Sequence, residues 1–172
     1  HLTPADRQDG TLGISPAVGI ALQEGESSDL RSIPVTSLRA ARGEEALGYS
    51  FRKPEWTLAL KTKLLQPCVS AEIFILVTLG NGFLTGSATI HYLIENAGVQ
   101  ELILAVPDNW QNVDITGADI RRRNLENGRW HIHLQDRALG RYTLAVTYDQ
   151  AFDPQSDSIK TAGITTQGTV RE

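Results

Sequence analysis

The chain has 172 residues with 16 basic and 20 acidic side chains, a net charge of −4. That length allows one domain with its own core, and the scattered, slightly acidic charge gives no basic footprint for a phosphate backbone, so nucleic acid is not an expected partner. One cysteine, Cys68, excludes an internal disulfide framework, and the longest apolar stretch, within 71–79, falls far short of the roughly 20 residues of a membrane-crossing helix.

The opening 45 residues carry the weakest pattern. Val18, Ile20 and Leu22 predict a strand after Pro16, residues 25–29 read as a polar loop, and 35–45 read as one short helix. A run of Gly10, Thr11, Leu12, Gly13 and Ile14 resembles the closing residues 168–172, a likeness short enough to arise by chance. The chain contains no methionine, so His1 is not a natural translation start and the segment is expected to come from a larger or processed product.

From Leu47 onward, strands dominate. Leu47, Tyr49 and Phe51 alternate with polar neighbours, as do Trp56, Leu58, Leu60, Thr62 and Leu64 up to Pro67. The run 73–77 is apolar at every position, an aggregation hazard on a sheet edge, and is expected in the centre of a sheet. Asn81-Gly82 and Asn127-Gly128 predict two hairpins, because both residue types tolerate positive φ. Turns are also expected at 96–98, 107–109 and 138–140, cutting the stretch into strands at 85–95, 99–106, 119–126, 129–135 and 141–148. Ile90, Leu104, Ile132 and Val146 fall on one inward set. A polar loop at 149–158 precedes a last strand within 159–170.

Turn signals every 8–12 residues or so predict an all-β, antiparallel β-sandwich of immunoglobulin-like or jelly-roll-like type, one domain over 1–172, with 1–46 the least defined part and 158–172 a last strand or linker. The stretch 86–148 resembles the β-sandwich modules repeated in large uncharacterised bacterial envelope and secreted proteins. The likeness lies in the strand with Tyr92, the strand end Val106-Pro107, the short Ile115-Thr116-Gly117 strand and the Gly128-Arg129-Trp130 hairpin entry. Similar strings occur in all-β domains that precede the catalytic domains of some aminopeptidases. These are packing residues, so the resemblance implies architecture and an extracytoplasmic location and carries over no site residue.

Candidate chemistry is sparse. His131 and His133 project from one strand face and can share a metal ion, with His91 and then Asp136 or Glu95 as further ligands; two histidines on a solvated sheet face are the plainer reading. Trp110, with Asn109, Asn112 and Asp114, offers a sugar-stacking ring in a loop, against the reading of a tryptophan folded over the open end of the core. Asp149, Asp153 and Asp157 lack calcium-loop spacing, and Arg121, Arg122 and Arg123 suit a sheet rim better than an anion site. No nucleophile elbow, phosphate-cradling glycine loop or complete catalytic set is present, and no cofactor is expected. The expectation is a non-catalytic structural or interaction module of a larger secreted or cell-envelope bacterial protein. Its expected partners are neighbouring domains or another protein. A carbohydrate-binding module built on Trp110 and a metal site at His131 and His133 are the alternatives.

Overall fold

A computed structural model describes residues 8–38, 42–80 and 82–168, and it is almost entirely antiparallel β-structure. Its contacts divide into two compact units, His1–Gln66 and Pro67–Glu172.

In the first unit the strands are β1 (Gly10–Ile14), β2 (Ile20–Ser28), β3 (Leu30–Ser32), β4 (Leu47–Phe51) and β5 (Thr57–Leu64). They form a sheet ordered β1-β4-β3 and a separate β2-β5 ribbon. Tyr49 on β4 faces Leu12 and Ser32, is buried, and donates its hydroxyl to Glu24 of β2 at 2.6 Å, tying sheet to ribbon. The polar segment 25–29 is not a loop up to Ser28. β2 runs on through a register shift between Glu24 and Ser27, where a Cβ on Gly25 would meet the Ala59 carbonyl at 2.9 Å. Gly25 therefore marks a close approach of two backbones, and the turn comes at Asp29, with φ of 57°. The expected helix at 35–45 shrinks to a single 3-10 turn at Val35–Ser37, after which Leu38 is extended. Residues 39–41 of that expectation lie outside the described residues, and beyond them the Glu45 carboxylate accepts the backbone N–H groups of Arg42 and Gly43 at 2.7 and 2.9 Å, closing a loop.

The second unit contains β6 (Cys68–Leu79), β7 (Phe83–Ala105), β8 (Gln111–Gly117), β9 (Ile120–Glu126), β10 (Arg129–Ala151) and β11 (Thr165–Gln167). Asn127 and Gly128 both have positive φ and close the expected β9–β10 hairpin. The β6–β7 hairpin also forms, with Gly82 at φ 82° and the Gly80 N–H donated to the Phe83 carbonyl at 2.7 Å; Asn81 is outside the described residues.

The turns expected at 96–98 and 138–140 do not end strands. β7 and β10 are each 23 residues long and pair from Arg129↔Ala105 to Ala151↔Phe83, slipping register around Ala138. Asn96 (φ 67°) and Gly140 (φ 78°) sit at this slip, so their left-handed backbone bends a continuous ribbon instead of reversing the chain. One half of the ribbon is flanked by β6 and β8, the other by β11 and β9. The bent ribbon therefore lays out two four-stranded layers, which share one apolar core.

Ile90, Leu104, Ile132 and Val146 are each 0% exposed, the inward set the alternation predicts. Each such side chain contributes roughly 1.5–3 kcal/mol on burial. At one end of the core the ring of Tyr148 lies over Gly86, directly opposite it, and stacks on Trp110 with centroids 3.3 Å apart and planes 5° from parallel. Any Cβ at Gly86 would overlap the Tyr148 ring. Gly86→Ala is expected to lower stability by about 1–3 kcal/mol, the cost of overpacking, as read by urea unfolding.

Burial raises the Tyr92 hydroxyl above its ordinary value of 10.0, and that hydroxyl has no hydrogen-bond partner among the described residues. Burial, then the Glu24 hydrogen bond and charge, pushes Tyr49 up to about 12. Both stay protonated in the fold at a pH where the unfolded chain ionises, so their contribution is complete below pH 10 and falls as pH rises, for Tyr49 up to about 12. Denaturant titrations at rising alkaline pH should show this loss. Tyr92→Phe should flatten its share and gain about 1 kcal/mol at neutral pH by deleting an unsatisfied buried hydroxyl.

Candidate functional site

His131 and His133 lie on the outward face of β10, where the alternation places them. They flank Glu101 of β7: His131 Nδ1 is 2.7 Å and His133 Nε2 3.7 Å from the same Glu101 carboxylate oxygen. Sequence reasoning proposed Glu95 or Asp136 beside them and missed Glu101, because only the β7–β10 register reveals that it opposes His133. His91 is on the other half of the ribbon, opposite Glu72 and Thr143, and its Nδ1 is 3.1 Å from the Thr143 hydroxyl. The structure therefore brings two of the three histidines together and leaves the third in a different layer. Among the described residues no group of three or more His, Cys, Asp or Glu side chains is arranged to hold a metal ion.

Trp110 follows a turn in which its N–H reaches the Pro107 carbonyl at 3.1 Å, and it is only 6% exposed. One face of its ring lies on Tyr148, inside the core. Asn109 is in the turn before it. Asn112, at φ 51°, donates to Asp149 at 2.9 Å, and Asp114 accepts from Arg123 at 2.5 Å. Arg123 also donates to the Ile115 carbonyl, so it joins β9 to β8 across the rim. These polar side chains serve the β8 edge, and the buried indole presents no open stacking face.

Cys68 begins β6 opposite Glu95. Arg121 and Arg122 line a shallow surface cleft of about 470 Å³ with Gln100, His133 and Leu134. Asp149 is held within β10, and Asp153 caps its own turn through the Gln155 N–H at 2.9 Å.

The most unusual surface is β6. The run 73–77, expected in the middle of a sheet, pairs with β7 alone, so β6 is an edge strand among the described residues. Phe74 and Leu76 point outward, 63% and 57% exposed, while Ile73, Ile75 and Val77 pack at the margin of the core. Leu79 and Phe83 extend the apolar surface to the hairpin tip, 61% and 57% exposed. The only charged side chain on β6 is Glu72. Exposed edges normally carry lysine, proline or a bulge, or are kept very short. β11 is three residues long and β9 carries three arginines; β6 has none of these protections. The sequence signal was the uninterrupted apolar run, read as burial on both faces when it marks an open edge.

Compared with protein-family models and with curated proteins, the sequence matches none of them.

Because Trp110 works as a core residue, Trp110→Ala is expected to destabilise the second unit by about 3–5 kcal/mol in urea unfolding. A surface platform residue would be replaced with little change.

Proposed function

We propose that the chain is a non-catalytic interaction module of a larger secreted or cell-envelope bacterial protein, and that its contact surface is the open edge of β6. The single observation that carries this reading is a 12-residue edge strand whose central run 73–77 is apolar on both faces. An edge of this kind supplies unpaired backbone donors and acceptors in register, and its alternate side chains supply selectivity, which is the chemistry of strand addition. The arrangement of the other candidate residues favours the same reading. Trp110, Asn112 and Asp114 hold the fold together, and His131 and His133 share the Glu101 carboxylate on an outer face. The extracytoplasmic location rests on the resemblance of 86–148 to envelope modules.

The test is titration of the purified chain with purified neighbouring segments of its parent protein. The expected result is a complex that raises the melting temperature and slows amide exchange along β6. Leu76→Lys, which places a charge on the exposed face without touching the core, should abolish both effects. Unchanged melting and unchanged exchange with every segment, and with the chain itself, would reject the module reading.

A further inference from the structure

The sequence of β6 fits its own reverse. If two copies meet edge to edge about a two-fold axis at Ile75, antiparallel pairing sets Phe74 against Leu76 of the other copy, Ile73 against Val77, and Glu72 against Thr78. The outward apolar pair closes over the junction on one face, and the inward residues extend the core margin on the other. Neither carboxylate faces a carboxylate or an apolar side chain. Moving the axis to Phe74 would put Glu72 against Leu76, and moving it to Glu72 would oppose the two charges directly. The other edges of the second unit do not offer such a fit: β11 is too short, β9 carries Arg121, Arg122 and Arg123, and β8 carries Asp114 in its bond to Arg123.

From this self-complementarity we infer that the partner of the β6 edge is a second copy of the same chain, forming a two-fold dimer with one sheet continuous through both copies. The inference rests on the reading of β6 as the contact surface and names its occupant.

Sedimentation of the 18.8 kDa chain over a concentration series tests it. The expected result is a reversible monomer–dimer equilibrium, weakened at least about tenfold by Leu76→Lys. A cross-linking pair fixes the register. In a Cys68→Ser background, Ile75→Cys places two thiols on directly opposed residues, about 4.5–5.5 Å apart at Cα and within disulfide reach, so oxidation should give a covalent dimer. Thr78→Cys, whose two copies lie far apart in this register, should form no covalent dimer.

A chain that is monomeric up to ~100 μM overturns the inference. So does a dimer that is indifferent to Leu76→Lys, or one that cross-links as readily through Thr78→Cys as through Ile75→Cys. If the chain is monomeric but binds a neighbouring segment in a manner lost with Leu76→Lys, the self-pairing fails while the module reading stands. Should Ile75→Cys fail to fold, sedimentation of Leu76→Lys, altered only on the solvent face, still decides.

Discussion

The second unit depends on one constraint: β7 and β10 remain paired through a bend. Because both are 23 residues long and slip register near Asn96, Ala138 and Gly140, a single ribbon supplies the central strands of both layers. Period-two alternation then delivers apolar side chains to the inside on either side of the bend, which is why Ile90 and Leu104, on one strand, are buried in the same core. The flanking strands only widen what the ribbon defines. Arg123 reaching from β9 to Asp114 and the Ile115 carbonyl on β8 secures one margin, and Gln150 donating to the Lys160 carbonyl at 2.8 Å holds the long final loop against the core.

Strand identity and facing were legible in the sequence because a half-buried strand writes its environment in alternation. The inward residues of β7 and β10 and the Asn127-Gly128 hairpin all follow from that rule. Strand length was not legible. Asn96 and Gly140 carry the same positive-φ tolerance whether the chain reverses or bulges, and only the partner strand decides between the two. In the first unit the same ambiguity turned Gly25 from a loop marker into a point of backbone contact, and let Glu45 stabilise a loop where 35–45 reads as one short helix.

The candidate site was harder to read for a related reason. His131 and His133 were placeable on one face from spacing alone, but Glu101 entered only through pairing with a strand thirty residues earlier in the chain. Trp110 looked like a loop ring because proline and polar residues precede it; its stacking on Tyr148 depends on Gly86 clearing space from a third strand. An apolar run such as 73–77 reports burial in a sequence only if its partners exist within the chain, and here one side has no strand partner among the described residues.

The bent ribbon also has a cost in time. Phe83 must wait for Ala151, about 70 residues further along, before its half of the ribbon can close, so the pairing that defines the core is among the most non-local the chain makes. On a ribosome adding about 5–20 residues per second, the β6–β7 hairpin would stand alone for several seconds with its most adhesive strand uncovered. The speed of synthesis and the availability of a holding chaperone therefore bear on the yield of native protein.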